Sequence, residues 1–249
     1  MFVQYYGVSD IGRKRKENQD RIYLPDNTSE LKLFILADGM GGANAGSVAS
    51  STAIDFIKKY ITKRWTSISL EREEIEKLID DAISEANNFV YSKSKGTNEY
   101  AGMGTTIIVA ITFRNKVYIG HIGDSRLYRV RKNIIRQLTR DHSYVEALVQ
   151  SGSITKEEAK VHPQKNVLLK VLGCEENVKP DIITKGFLKG DVLLICSDGL
   201  TNMLETDEIY DVILENIDNP KLACQTLIER ANSEGGYDNI SVILVYHMD

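Results

Sequence analysis

The sequence predicts an α+β protein in which paired antiparallel sheets are covered by helices. The predicted elements follow the order strand-rich block, two helices, strand-rich block, two helices. Short polar turns separate the strands of the second block, which favours antiparallel pairing because parallel strands need a long crossover. No low-complexity linker and no repeat of fixed period interrupts this order. We therefore expect one domain over residues 1–249.

The composition is that of a soluble globular protein, with 42% hydrophobic and 27% charged residues among 249. The net charge of -4 gives no reason to expect a nucleic-acid partner. No apolar run approaches the roughly 20 residues that span a bilayer. Cys174, Cys196 and Cys224 are odd in number and form no C-x-x-C pair, which indicates free thiols rather than disulfides or a zinc site. We expect a cytoplasmic protein without a membrane segment, and a monomer.

The first block ends in an apolar strand that runs into a carboxylate and a group of glycines. Its predicted strands cover 2–8, 21–24 and 31–37, and the last of these runs into Asp38, followed by Gly39, Met40, Gly41 and Gly42. A buried strand positions such a carboxylate, and the glycines give a ligand access to it. Taken alone, an Asp-Gly pair after a strand is more typical of a hairpin turn.

Two helices follow the glycines. Apolar residues recur at helical spacing over 45–61. The second helix has Ser69 as its predicted cap, acidic residues in its first turn and an apolar face that reaches Val90. We interpret both as helices that cover the core.

The second block and the last helices are predicted from alternating patterns and from capping residues. A helix over 143–150 and a capping box from Thr155 to Glu158 lie between two groups of strands. A helix starts near Thr206, and another has Asn219 as cap and Pro220 at its first position. The predicted strands are 105–113, 117–122, 126–130, 134–138, 181–187, 191–196 and 240–246.

Five aspartates lie where predicted strands begin or end: Asp20, Asp38, Asp124, Asp198 and Asp238. If those ends meet at one edge of a sandwich, the carboxylates repel one another unless cations compensate them. All-oxygen ligation without His or Cys indicates magnesium or manganese rather than zinc. The pattern is also compatible with five unrelated turn residues.

Six short segments, in this order, resemble a known family. They are the segments 15–20 (RKENQD), 38–42 (DGMGG), 104–106 (GTT), 123–126 (GDSR), 197–200 (SDGL) and 238–240 (DNI). The set resembles the metal-dependent Ser/Thr protein phosphatases of the type 2C family in their compact bacterial form, over essentially the whole chain. Segment 162–168 also resembles the bacterial branch.

The resemblance implies a four-layer α-β-β-α sandwich of two mainly antiparallel sheets, with two Mn²⁺ or Mg²⁺ ions at one end. Asp38 would bridge the two ions, and the carbonyl of Gly39 would bind one of them. Asp198 and Asp238 would complete the first site. Asp20 would hold a metal-bound water or take a ligand position.

The resemblance also implies the reaction and its substrates. A water that bridges the two ions would attack phosphoserine or phosphothreonine, with Arg15 holding the substrate phosphate. Asp124 and Asp198 would bind the third ion of many bacterial members, and a flap would cover about 142–170. The partners would be phosphorylated proteins, including a bacterial Ser/Thr protein kinase that the enzyme opposes and the substrates of that kinase.

Two positions depart from the family pattern. Gln19 stands where many members have Glu, and an amide there can still orient a metal-bound water. Met40 stands where eukaryotic members commonly have a His proposed as the acid for the leaving group, and methionine cannot donate a proton. His142 is a candidate for that role, with a structural His as the alternative. A metal-bound water could also supply the proton.

Two other functions fit parts of the pattern. A catalytically silent phosphoprotein-binding relative would be expected to lose metal carboxylates, and Asp38, Asp198 and Asp238 all persist. A phosphatase of a sigma-factor regulator would share the chemistry and differ in its partner. Arg15 and the flap favour the kinase-opposing phosphatase.

Overall fold

Two antiparallel sheets pack face to face, and helices cover the outer face of each sheet. The computed structural model describes residues 2–42 and 45–248. Apolar residues fill three layers: between the sheets, and between each sheet and its helices. The predicted α-β-β-α sandwich is confirmed.

The first sheet has five strands in the order β1-β11-β10-β7-β8, and all neighbours are antiparallel. Its central strands end at the edge where the candidate site lies. The strands are β1 (Val3–Asp10), β7 (Arg126–Arg131), β8 (Ile134–Gln137), β10 (Val192–Cys196) and β11 (Ile240–His247).

The second sheet has the order β2-β3-β5-β6-β9, with the short strand β4 paired to the end of β3. Its strands are β2 (Asp20–Tyr23), β3 (Lys32–Met40), β4 (Gly104–Thr105), β5 (Ile107–Phe113), β6 (Lys116–Ile122) and β9 (Asp181–Gly186).

Helices α1 and α2 pack on the second sheet, and α6 and α7 on the first. No helix in the described ranges combines the length and apolar character needed to cross a membrane. The helices are α1 (Ala45–Trp65), α2 (Arg72–Gly96), α3 (Tyr144–Gln150), α4 (Lys156–Val161), α5 (Asp198–Thr201), α6 (Thr206–Glu215) and α7 (Pro220–Ser233), with a 3₁₀ turn at Asn98–Tyr100.

Strand β3 shows why its sequence is continuously apolar. Leu33 and Ile35 face α1 and α2, whereas Phe34 and Leu36 face the other sheet. Alternate side chains of a strand point to opposite faces, so a strand covered on both faces needs apolar residues at every position. This burial fixes β3 and therefore the backbone that carries Asp38.

Two predicted caps are confirmed and one is wrong. Thr155 and Glu158 form the capping box of α4, and Asn219 caps α7. The helix predicted over 143–150 begins at Tyr144, because Ser143 Oγ caps it by accepting a hydrogen bond from the Glu146 N–H. Ser69 does not cap α2, which begins at Arg72 with Glu71 at the cap position. The reason is Leu70, whose φ of 56° is left-handed and incompatible with a continuing right-handed helix.

Strand β3 does not end at Ala37 as predicted, and the alternative prediction of a hairpin turn at Asp38-Gly39 is wrong. The strand continues to Met40 because Asp38 pairs with Asp20 of β2 and Gly39 pairs with Thr105 of β4. A Cβ on Gly39 would lie 2.2 Å from the carbonyl oxygen of Gly46 and 2.8 Å from that of Gln19. Gly39 therefore allows the first turn of α1 to press against the end of β3.

We expect Gly39→Ala to destabilise the protein by about 1–3 kcal/mol, as overpacking does in a close-packed region. The clash is with backbone atoms, which cannot rotate away. Urea unfolding in chelator measures the effect without contributions from bound ions. Gly42→Ala is the matched control, since a Cβ there meets nothing within 4 Å. Equal unfolding midpoints for the two variants would contradict this explanation.

Candidate metal centre

Asp20 and Asp38 lie directly opposite each other on β2 and β3. Directly opposed residues of an antiparallel pair have Cβ atoms about 5 Å apart on one face of the sheet. Asp20 is 1% exposed, and its Oδ2 accepts a 2.8 Å hydrogen bond from Ser197 Oγ of the other sheet. Its Oδ1 is buried and has no hydrogen-bond partner among the described residues.

Asp198 and Asp238 come from neighbouring strands of the first sheet. Asp198 follows β10 as the first residue of α5, and Asp238 stands just before β11. Gly199 lets the two segments touch, because a Cβ there would lie 2.0 Å from the carbonyl oxygen of Asn239. Asn202 Nδ2 donates to Asp198 Oδ2 at 3.0 Å, while the buried Oδ1 of Asp198 has no partner in the described part of the chain.

Asp124 lies in the turn between β6 and β7 and is tied to Asp38 through Thr106. The Thr106 N–H donates to the Asp38 carbonyl at 2.9 Å, and the Asp38 N–H donates to Thr106 Oγ1 at 3.1 Å. Thr106 Oγ1 is also 2.7 Å from Ser125 Oγ, next to Asp124. One threonine therefore links the two segments that carry these carboxylates.

Arg15 reaches the same cluster from the loop between β1 and β2. Its Nη2 donates to Asp238 Oδ2 at 2.7 Å, and the ion pair is only half-buried. The loop is fixed by Asn239, whose Nδ2 donates to the carbonyls of Ile11 and Glu17 at 2.9 Å each. The Asn239 Oδ1 accepts from the Gln19 N–H at 2.9 Å. All the predicted aspartates and Arg15 thus surround one location.

The carboxylates hinder one another's ionisation. Loss of water contact, followed by repulsion from the other four aspartates, raises the pKa of Asp38 well above its usual range. Desolvation raises the pKa of Asp20 to about 6, although the hydrogen bonds from Ser241 and Ser197 oppose the rise. Desolvation and the charge of Asp198 raise the pKa of Asp124 to about 8. Without a compensating charge, the cluster holds protons near neutral pH.

Hard divalent cations suit this donor set. The buried Oδ1 atoms of Asp20 and Asp198 have no hydrogen-bond partner among the described residues, and the pKa of Asp38 is raised. Both observations indicate that these carboxylates need a compensating positive charge. Within residues 2–42 and 45–248, no three His, Cys, Asp or Glu side chains are arranged to hold an ion by themselves. One reason is that Asp238 is turned to Arg15 and to the Asn239 N–H. Magnesium and its analogues keep several waters and need only one or two carboxylates each, so the set still fits.

The ring nitrogens of His142 face Gly123 and Asp181. Nδ1 accepts from the Gly123 N–H at 3.1 Å, and Nε2 lies 3.2 Å from Asp181 Oδ2. The ring stacks on His121 with centroids 4.8 Å apart, and burial lowers the pKa of His142. These contacts favour the structural alternative over the proton-donor role, because Nδ1 is used by the Gly123 N–H and Nε2 faces Asp181, which is not one of the five clustered aspartates.

The three cysteines are free thiols. Burial raises the pKa of Cys196 and of Cys224 to about 12, and burial also raises the pKa of Cys174. A thiol is nucleophilic as the thiolate, so none of them is prepared to attack phosphorus. The cysteines are therefore unsuited to act as the nucleophile of this site.

Sequence reasoning missed four residues that support the segments carrying the predicted site aspartates. Thr106 hydrogen-bonds to Asp38 and to Ser125 beside Asp124, Ser197 donates to Asp20, and Asn239 accepts from the Gln19 N–H beside Asp20. Ser125, Ser197 and Asn239 each lie next to a predicted site aspartate in the sequence, and Thr106 lies two residues after Gly104. Their partners lie far away in the sequence, which spacing alone cannot reveal.

Comparisons with known proteins agree with this geometry. The family model described as "Protein phosphatase 2C" matches residues 9–229. The serine/threonine phosphatase stp of Listeria monocytogenes serotype 4b (strain F2365) is 40% identical over 239 residues, covering 95% of this chain and 93% of that protein.

Two solved structures show the same likeness. The serine/threonine phosphatase of S. agalactiae is 37% identical, with a TM-score of 0.90 and 100% of both chains covered. The catalytic domain of the phosphatase PstP, in complex with 2 manganese ions, is 30% identical, with a TM-score of 0.86 and 99% of both chains covered. By these matches over nearly its whole length, the chain belongs to the protein phosphatase 2C family of metal-dependent serine/threonine phosphatases.

Proposed function

We propose that this protein removes phosphate from phosphoserine and phosphothreonine in proteins by means of two Mn²⁺ or Mg²⁺ ions. The observation that carries the proposal is the convergence of four other aspartates on Asp38, because the charges of these five carboxylates need compensation. The related PstP domain that holds 2 manganese ions supports the same centre here.

The ligand roles follow the residues that converge. Asp38 would be shared by the two ions, the Gly39 carbonyl would bind one of them, and Asp198 and Asp238 would complete the first site. Asp20 would hold a metal-bound water or take a ligand position. Bound ions of this kind make a water reactive at neutral pH and neutralise charge on the phosphoryl oxygens.

Arg15 is the group that binds the substrate phosphate in this proposal. Its planar guanidinium can hold two phosphate oxygens at once, which neither Lys14 nor Lys16 can reproduce. Its side chain is exposed enough to meet a substrate and already reaches Asp238 at 2.7 Å. Binding of the substrate phosphate to Arg15 would orient the phosphorus atom towards Asp38.

Two further features belong to the proposal. Asp124 and Asp198 would hold a third ion, which is supported by the charge of Asp198 that raises the pKa of Asp124. Segment 142–170 acts as the flap, since α3 and α4 line a cavity of about 690 Å³ together with Asp124 and Asp198.

We also propose that the enzyme opposes a bacterial Ser/Thr protein kinase in the cytoplasm. The related stp protein of Listeria and the free cysteines support this setting. The presence of every ligand aspartate supports a catalyst rather than a silent phosphoprotein-binding relative.

Turnover of a phosphothreonine peptide with manganese tests the function. We expect hydrolysis that chelator abolishes and that Asp38→Asn lowers by more than about 100-fold, since even outer-shell partners of metal ligands are worth about 10- to 100-fold. Asp211→Asn on the exposed side of α6 makes the same chemical change away from the centre and should keep full activity. No manganese-dependent turnover, together with unchanged metal binding by Asp38→Asn, would refute the proposal.

The dependence of stability on pH tests the charge compensation. The folded-state pKa values of Asp20, about 6, and Asp124, about 8, lie above those of an unfolded aspartate. Their contribution to stability is therefore present below about pH 4 and is lost as the pH rises through these values. In chelator the Tm should fall from pH 5 to pH 8, and manganese should raise the Tm most at pH 8.

Asp124→Asn is the variant for the same experiment. It should flatten the fall of the Tm in chelator between pH 6 and pH 8, while Asp211→Asn should not. A Tm in chelator that stays constant or rises over this range would contradict the charge compensation.

A further inference from the structure

Four consecutive cations project from the loop between β1 and β2: Arg13, Lys14, Arg15 and Lys16. We call residues 13–16 the basic loop. All four side chains are exposed. The chain as a whole has a net charge of -4, so the basic loop is a local concentration of positive charge on an acidic protein.

The basic loop is held in place beside the metal centre. Asn239 binds the backbone on both sides of it, at Ile11 and at Glu17. The Arg13 N–H donates to the Gly236 carbonyl at 2.7 Å. The Arg15 side chain ends on Asp238. The cations are therefore displayed at a fixed position next to residues proposed as metal ligands.

Three of the four cations have no charged or hydrogen-bonding partner for their side chains within residues 2–42 and 45–248. Across the described residues, no ion pair and no side-chain hydrogen bond involves the side chains of Arg13, Lys14 or Lys16. Other exposed cations do find partners, as Lys160 does with Glu205 at 2.7 Å. The charge of the basic loop is therefore available to a molecule that approaches the centre.

We propose that the basic loop binds acidic residues that flank the phosphorylated serine or threonine of the substrate. The inference rests on the proposed phosphatase function and names its preferred substrate class, phosphoproteins with acidic sequence around the phosphorylation site. Arg15 takes the phosphate, and Lys14 and Lys16 are its immediate neighbours. Residues of an extended peptide are spaced about 3.3–3.6 Å apart, so flanking side chains fall within reach of these ammonium groups.

The physical basis is charge complementarity at the rim of a site. Exposed complementary charges raise the rate of encounter and disfavour partners of the wrong sign. Their effect is screened by salt over a Debye length of about 10 Å at 0.1 M ionic strength. A substrate preference that arises from the basic loop must therefore weaken as salt is added.

Three substrates test the proposal with manganese present: phosphothreonine peptides of equal length with acidic or with neutral flanks, and p-nitrophenyl phosphate. We expect the acidic peptide to have a kcat/KM about tenfold above that of the neutral one at low salt, the size that one or two exposed ion pairs produce. The preference should shrink at high salt. Lys14→Glu combined with Lys16→Glu should abolish or reverse it and leave turnover of p-nitrophenyl phosphate within about twofold.

The matched control combines Lys59→Glu with Lys189→Glu. Both lysines are exposed and have no ion pair in the described ranges, and the change in net charge is the same. Lys59 lies 13 residues along α1 from Gly46, which is about 20 Å at 1.5 Å per residue. This control should keep the preference for the acidic peptide.

The possible failures are distinguishable. If neither p-nitrophenyl phosphate nor any peptide is hydrolysed, the proposed function fails and the inference fails with it. If all substrates are hydrolysed without a salt-sensitive preference in the wild-type protein, only the basic-loop inference is overturned. The inference is also overturned if the double loop variant keeps the wild-type peptide preference. If that variant at the same time loses binding to vesicles of anionic lipid, the basic loop binds a lipid surface instead.

Discussion

Mutual repulsion among the carboxylates around Asp38 is the constraint on which this end of the molecule depends. Five acidic side chains meet there. Burial away from water, together with the charge of the other four carboxylates, raises the pKa of Asp38 well above its usual range. A cluster of this kind lowers stability unless protons or cations neutralise it. Protons would leave the carboxyl groups unable to serve as ligands, whereas hard divalent cations turn the same repulsion into binding. The same group of aspartates therefore affects both the stability of the fold and the proposed catalysis.

The architecture brings these residues together by ending its central strands at one edge. The opposed pair of Asp20 and Asp38 comes from one sheet, and Asp198 and Asp238 come from adjacent segments of the other. Buried polar contacts join the two sheets at this edge, such as the hydrogen bond from Ser197 to Asp20. The apolar layer between the sheets keeps the strands fixed, so that small displacements of the ligands are resisted.

The sequence was informative wherever local physics decides the structure. Alternating or continuous apolar runs predicted every long strand, and Asn219 predicted the start of its helix because capping is a local interaction. The prediction of Ser69 as a cap was wrong because Leu70 has a left-handed backbone conformation, which a non-glycine residue rarely adopts and which its side chain does not signal. The roles of Thr106 and Asn239 could not be predicted, because their hydrogen-bond partners are brought near only by the folded sheets. Convergence of the aspartates became a firm expectation only through the resemblance of ordered motifs to a known family.

Anomalous scattering from bound manganese is the most direct test of the two-ion centre. Crystals of the protein grown with manganese and measured at the manganese absorption edge locate each bound ion independently of activity. We predict two anomalous peaks about 4 Å apart, with Asp38 between them, as in two-metal hydrolytic sites. A fully occupied crystal with no peak beside Asp38, or with a single ion there, would contradict the two-ion centre.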